Sequence, residues 1–110
     1  MDDGPHKLTA DNIDLVCART GPGNYGLGSI SNSGNLLVHR VGRSDNDLNG
    51  RLKDYLNQYA YFKASYASDL KEAFEKECNN WHDFKPPDNK IHPDRPDGTN
   101  WKCPRCDQLN

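Results

Sequence analysis

The chain has 110 residues, a formal net charge of −2 at pH 7 and a sequence pI of about 6.0. This length allows one small domain, and a hydrophobic fraction of 34% allows only a small core. The charge balance excludes a globally basic nucleic-acid-binding protein, so any basic surface must be local.

Membrane and secretory features are missing from the sequence pattern. No apolar run approaches the roughly 20 residues that a membrane helix requires, so we expect no membrane partner. Residues 1–7, MDDGPHK, lack the apolar stretch of a secretory signal. Four cysteines in such a chain favour a reducing compartment, in which they act as thiols or metal ligands. We therefore expect a cytoplasmic protein.

The first half of the chain predicts a tail followed by a β-hairpin. Residues 1–10 are typical of a flexible N-terminal tail, and residues 13–16 fit either a short strand or a helical turn. Residues 24–30 and 35–41 predict two strands. The SNSG sequence at 31–34 favours a tight turn between them.

A helix, a strand and a second helix follow the hairpin. Apolar residues at helical spacing predict a helix over 48–59, after N-cap candidates at 44–46. The aromatic-rich segment 60–67 predicts a third strand, and 68–84 predicts an amphipathic helix. We expect an α+β fold with a small antiparallel or mixed three-stranded sheet and two main helices.

Prolines mark the end of the predicted domain. Five of the seven prolines fall within residues 86–104, which argues against regular structure there. The expected organisation is therefore a flexible tail at 1–10, a domain at 11–89 and an irregular C-terminal tail at 90–110.

The second predicted helix carries a carboxylate on its apolar face. Leu70, Phe74 and Trp81 belong to a stripe that should face the core, and Glu77 interrupts it. A carboxylate near a core is costly unless it is paired or binds a metal. Two interpretations stay open: an ion pair, with Arg51 as the candidate partner, or a metal site.

Five short motifs occur in a fixed order between residues 23 and 89. They are GNY at 23–25, RVG at 40–42, DLNGRL at 47–52, EAFEKE at 72–77 and PPDN at 86–89. Their order resembles the GIY-YIG nuclease domain of excision-repair incision subunits and homing endonucleases. VGRSDND at 41–47 and the tail HPDRPDGTNWKCPRC also resemble a small prokaryotic branch of that family.

The resemblance implies an endonuclease that hydrolyses phosphodiester bonds in DNA with Mg²⁺ or Mn²⁺. By position, Tyr25 would help to deprotonate the attacking water and Arg51 would contact the scissile phosphate. Glu77 would be the single protein ligand of the metal, and Asn89 would support the site. One carboxylate suffices for Mg²⁺, since this ion keeps several waters and binds substrate phosphates.

The sequence departs from the family pattern at two positions. Arg40 replaces the second tyrosine of the family name, and Asn24 stands where an apolar residue is usual. The alternative function is therefore a catalytically inactive nucleic-acid-binding module. Arg40, Arg43 and Lys53 are the candidate nucleic-acid contacts, with DNA the expected partner and RNA the second choice. No protein partner is indicated.

A CxxC motif lies in the C-terminal tail. Cys103 and Cys106 have the spacing of a zinc knuckle, although a second CxxC is missing. Further candidate ligands are, in order of preference, the histidines and then the cysteines that precede the motif: His92, His82, Cys78 and Cys17. Free thiols or a reversible disulfide remain the alternative to zinc. A zinc-stapled interaction domain is accordingly a third candidate function.

Overall fold

Four antiparallel strands form one sheet in the computed structural model, which describes residues 3–108 of the chain. The strands lie in the order β1-β4-β2-β3. Their bounds are Asp3–Lys7 for β1, Gly23–Ile30 for β2, Leu36–Ser44 for β3 and Tyr61–Tyr66 for β4. The helices are α1 at Ala10–Val16, α2 at Leu48–Lys53 and α3 at Leu70–Phe84. The fold is therefore α+β.

The predicted hairpin is formed by β2 and β3. Its turn is closed by a backbone hydrogen bond of 2.8 Å from Ser31 to the carbonyl of Asn35. Gly34 adopts a φ of +86°, a conformation that side chains with a Cβ rarely tolerate. The local turn chemistry therefore specifies this hairpin, and the prediction is confirmed.

Side-chain caps begin α2 and α3. The carboxylate of Asp47 accepts the backbone N–H of Gly50 at 3.1 Å, and that of Asp69 accepts the N–H of Glu72 at 2.8 Å. Only the first half of the predicted 48–59 helix is helical. None of the helices in residues 3–108 has the length and apolar character needed to cross a bilayer.

Two predictions were wrong at residues 3–7. The sheet has four strands and not three, and this segment is a strand and not a flexible tail. This segment forms β1, which pairs antiparallel with β4, and α1 adds a third helix. The DGPHK sequence has no apolar alternation, so its pairing depends on long-range contacts such as the ring of His6 against Phe62 at 5.4 Å. Residues 1–2 of the predicted tail lie outside the described residues.

The sheet separates two clusters of buried side chains. The larger cluster joins the sheet to α1 and α2 and contains Ile13, Tyr25, Leu27, Leu48, Leu52 and Phe62, among others. The smaller cluster joins α3 to the C-terminal tail and contains Phe74, Cys78 and Cys103. Residues 85–108 form neither helix nor strand, as the prolines predict.

Asn24, the polar departure in the first motif, ties α3 to the sheet. It is fully buried, and its side-chain amide donates to the carbonyl of Ala73 at 2.8 Å. Because alternate residues of a strand face opposite sides, Tyr25 points to the other layer. The neighbouring motif residues therefore contact different layers of the molecule.

Replacing Gly42 by Ala should destabilise the protein by about 1–3 kcal/mol. Gly42 pairs with Tyr25 across the hairpin, and a Cβ at position 42 would lie 2.3 Å from the Tyr25 hydroxyl. Tyr25 is 1% exposed, so its ring has no room to move away. Urea denaturation measures the effect. Leu37→Ala on the same strand, where the side chain is 50% exposed, is the control and should cost about 0.5 kcal/mol or less. An equal loss of stability in Gly42→Ala and Leu37→Ala would contradict the prediction.

Candidate functional site

A charged pocket lies where the edge strand β3 meets α2 and α3. It has a volume of about 400 Å³ and is lined mainly by charged side chains: Arg43, Asp45, Arg51, Glu77 and Asp94. β3 supplies Arg43, α2 supplies Arg51 and α3 supplies Glu77, while Asp94 belongs to the C-terminal tail. We call it the charged pocket.

Glu77 forms an ion pair with Arg43 at the base of the charged pocket. Arg43 Nη1 donates to Glu77 Oε1 at 2.6 Å, and each side chain is only 12% exposed. Arg43 also donates to the Asp45 carboxylate at 2.7 Å and to the Asp94 carbonyl at 2.6 Å. The predicted ion-pair partner, Arg51, is therefore corrected to Arg43.

The pKa of Glu77 reflects two opposing influences. Burial raises the pKa because it penalises the charged carboxylate, while the nearby Arg43 guanidinium lowers it. The net pKa is raised above its ordinary value of 4.5. The carboxylate thus lies in a partly dehydrated environment, in which its charged form is stabilised by a neighbouring cation.

The side chains of Tyr25 and Arg51 are in contact. Arg51 Nε donates to the Tyr25 hydroxyl at 3.3 Å, and that hydroxyl donates to Tyr55 at 3.4 Å. Arg51 is 48% exposed and lines the charged pocket, and its Nη1 lies 3.7 Å from the Asp54 carboxylate. Burial and the hydrogen bond to Tyr55 raise the pKa of Tyr25, although Arg51 opposes them. A general base near neutral pH would need the opposite shift.

Arg40 and Lys53 do not line the charged pocket. Arg40 donates to the Tyr59 hydroxyl at 3.1 Å and to the Asp88 carbonyl at 2.9 Å, so it links β3 to the segment after α3. Lys53 pairs with Asp14 at 2.7 Å. Of the three predicted nucleic-acid contacts, the structure brings only Arg43 to the pocket.

Asn89 acts on the backbone of β3 from outside the pocket. Its side-chain oxygen accepts the N–H of Val41 at 3.2 Å, and its side-chain nitrogen donates to the Val41 carbonyl at 2.8 Å. The Asn89 carbonyl accepts the indole N–H of Trp81 at 2.7 Å. Asn89 therefore fastens the chain after α3 to the sheet.

A second constellation joins the end of α3 to the C-terminal tail. The ligand atoms of His82, His92, Cys103 and Cys106 all lie within 4.8 Å of one another. The Nε2–Sγ distance is 3.4 Å for His82 and Cys103, and 3.3 Å for His92 and Cys106. Nitrogen and sulfur bound to one tetrahedral zinc lie about 3.5 Å apart. The cluster could hold zinc, and it contains all three residues predicted as ligands together with His82.

The surroundings of these side chains suit metal binding. His92 is buried, and its Nδ1 lies 2.8 Å from the Pro93 carbonyl; a proton on Nδ1 leaves Nε2 as the ligand atom. Burial works to raise the pKa of Cys103. The backbone N–H of Arg105 and the neighbouring His92, Cys78 and His82 outweigh it and lower the pKa to about 6. The thiolate that metals require is therefore favoured near neutral pH.

The other two candidate cysteines lie elsewhere. Cys17 belongs to the larger core cluster, where burial raises its pKa to about 11. Cys78 packs with Cys103 but is not one of the four clustered ligands, and burial raises its pKa. Both therefore behave as small buried side chains.

The pairing of Arg43 with Glu77 is the feature that sequence reasoning missed. The two residues are 34 positions apart, and no spacing pattern links a strand residue to a helix residue at that distance. A signal was present only on the helix, where Glu77 interrupts the apolar stripe. The partner, Arg43, is identified only by the folded structure.

Comparison of the chain with protein-family models, with curated proteins and with solved structures found no match. The resemblance to GIY-YIG nucleases therefore stands on the motifs alone, and function must be argued from the two sites.

Replacing Glu77 by Gln should change how stability depends on pH. The pKa of Glu77 in the folded protein lies above 4.5, so between pH 4.5 and that raised value the folded state binds more protons than the unfolded chain. The contribution of Glu77 to the free energy of unfolding therefore falls as pH rises through this window. We expect the stability of Glu77→Gln, relative to the wild type, to increase across the window in urea denaturation.

Glu75→Gln is the control, since it removes a carboxylate from the same helix. The prediction would be contradicted if the stability of Glu77→Gln, relative to the wild type, decreased as pH rises across the window. Attraction to Arg43 would then dominate over burial.

Proposed function

We propose that this chain is a nuclease-like domain that hydrolyses phosphodiester bonds in DNA with the help of Mg²⁺ or Mn²⁺. The observation that supports the proposal most is the convergence of three motif residues from distant parts of the chain. Arg51 and Glu77 line one open pocket, and Tyr25 is hydrogen-bonded to Arg51. RNA is the second choice of substrate.

Carboxylates in the charged pocket support the proposal of a hydrated divalent cation. Mg²⁺ needs one or two carboxylates and completes its coordination with water and phosphate oxygens. Glu77 would be the principal ligand, and the carboxylate of Asp45 lines the same pocket. When bound, the ion would supply Lewis-acid stabilisation of the negative charge that develops on the phosphate.

The arginines of the pocket have separate roles in this proposal. Arg51 is half exposed, and its planar guanidinium can bind two phosphate oxygens at once. Arg43 holds one oxygen of Glu77 and so fixes the direction of the carboxylate. Tyr25 accepts a hydrogen bond from Arg51 and orients the guanidinium, so we assign it a positioning role.

A specific observation favours the second candidate, a nucleic-acid-binding module without catalysis. The 2.6 Å ion pair with Arg43 already occupies one oxygen of Glu77. Arg40 stands at the second tyrosine position, and the raised pKa of Tyr25 disfavours a base. In this alternative Arg43 and Arg51 of the charged pocket bind phosphate, and no bond is cleaved.

We further propose that His82, His92, Cys103 and Cys106 bind one structural zinc ion. Four protein ligands close the coordination sphere of zinc, which is typical of structural rather than catalytic sites. The tail has little apolar mass of its own, since Ile91 is 84% exposed. Zinc would therefore supply much of the free energy that holds the tail against α3. If the charged pocket binds no nucleic acid, a zinc-stapled interaction domain is what remains.

The nuclease proposal predicts cleavage that depends on Glu77. A panel of single-stranded, nicked and branched DNA is incubated with Mg²⁺ or Mn²⁺, and cleavage is followed on denaturing gels. Glu77→Gln should lower the rate by about 100-fold or more, since it removes the metal-binding carboxylate. Glu75→Gln, on the same helix, should retain activity.

Tyr25→Phe separates positioning from base catalysis. A positioning role predicts a lower rate with an unchanged pH profile, whereas a base role predicts loss of the profile's titrating limb. If the wild type binds DNA but cleaves none of the panel, the second candidate replaces the first.

The zinc proposal predicts one bound zinc per chain in the purified protein. The double variant Cys103→Ser/Cys106→Ser removes both thiolates and should lose the metal, as measured by atomic absorption. Cys17→Ala, a buried cysteine outside the cluster, should retain it. Hydrogen exchange of residues 90–108 should accelerate strongly in the zinc-free variant and stay unchanged in the control. Equal zinc content in both variants would overturn the assignment.

A further inference from the structure

A second pocket lies beside the last turn of α3. It has a volume of about 300 Å³ and is lined by Trp81, His82, Lys85, Pro86 and Lys90. Its accessible lining is mostly apolar, two lysines contribute positive charge, and none of these five residues is acidic. We call it the tryptophan pocket. It is distinct from the charged pocket, with which it shares no lining residue.

The indole of the tryptophan pocket is held in place before any ligand arrives. Trp81 donates its N–H to the Asn89 carbonyl at 2.7 Å. Its ring packs against His82 and His92, with ring centroids 5.0 and 5.1 Å away. An aromatic ring fixed in this way loses little entropy when a planar ligand stacks on it.

The two lysines are placed at the chain turn that ends α3. Lys85 adopts a φ of +47°, and its backbone N–H bonds the Trp81 carbonyl at 3.0 Å, so the turn has a defined course. Both lysine residues are exposed, and their ammonium groups can contact anions on the rim. An aromatic ring with flanking cations is the combination that binds an unpaired base and its phosphates.

The tryptophan pocket is also close to the charged pocket along α3. Glu77 and Trp81 are four residues apart, which is about one helical turn or 6 Å of helix length. A strand that reached from Glu77 and Arg51 of the charged pocket to Trp81 would therefore cover about one turn of α3.

We propose that the tryptophan pocket binds one unpaired base of a single DNA strand. The base stacks on Trp81, and the flanking phosphates contact Lys85 and Lys90. The inference rests on the proposed function for the path of the strand, since it names a binding site for the substrate next to the charged pocket. It also selects single-stranded over fully paired DNA, because a paired base cannot enter the pocket.

The test is binding of labelled twelve-residue oligothymidylate, measured by fluorescence anisotropy in zinc-containing buffer without Mg²⁺. Every protein carries Glu77→Gln, so cleavage does not interfere. Adding Lys85→Ala and Lys90→Ala should weaken binding about tenfold. It should also reduce the slope of log affinity against log salt by about 1.4, since each lost phosphate contact on a single strand contributes about 0.7. Lys7→Ala with Lys71→Ala removes the same charge outside the pocket and is the matched control.

A second comparison isolates the base. An abasic strand of the same length keeps the phosphates, and the Glu77→Gln protein should bind it about tenfold or more weakly than oligothymidylate. Trp81→Leu should remove that difference. If Trp81→Leu fails to fold, the lysine variants and the abasic strand still test whether the pocket binds a base and its phosphates.

Three outcomes would overturn the inference. They are equal binding of the two strands, an unchanged salt slope in the Lys85 and Lys90 variant, and lysine-dependent binding of an acidic peptide in place of the strand. The nuclease proposal fails separately. If the Glu77→Gln protein binds oligothymidylate through the two lysines and the wild type cuts none of the DNA panel, the binding pocket is supported and hydrolysis is overturned.

Discussion

The guanidinium of Arg43 is the interaction on which the arrangement of the site depends. It reaches from the edge strand to Glu77 of α3, to Asp45 beyond the strand and to the Asp94 carbonyl of the tail. An arginine that is 12% exposed needs such partners, because a partly buried charge without them is costly. The strand, the helix and the tail therefore meet where this one charge is satisfied.

The same interaction has two opposite effects on cation binding in the charged pocket. Arg43 aligns the carboxylate of Glu77, which helps a cation to bind, yet it also competes with that cation for the carboxylate. A phosphate entering the pocket would compete with Glu77 for the guanidinium. Which pairing prevails depends on the charge of the group that enters the pocket.

Local chemistry made part of this structure predictable. The turn at residues 31–34 and the prolines of the tail both act within a few residues, and each is where the sequence pattern predicts it. The cluster of His82, His92, Cys103 and Cys106 could be anticipated because few side chains bind zinc, and the sequence ranked the two histidines ahead of the remaining cysteines. The β1 strand and the Arg43–Glu77 pair depend on contacts between distant segments, and no local pattern encodes them.

Asn89 has a second effect, on how copies of the chain meet one another. An open strand edge is a template on which another chain can add a strand. Here the N–H and carbonyl of Val41 are bonded to the Asn89 side chain, and the His39 carbonyl accepts the N–H of Asp88 at 2.9 Å. One short segment thus occupies the middle of the outer edge of β3, and edge-to-edge aggregation is blocked at that point.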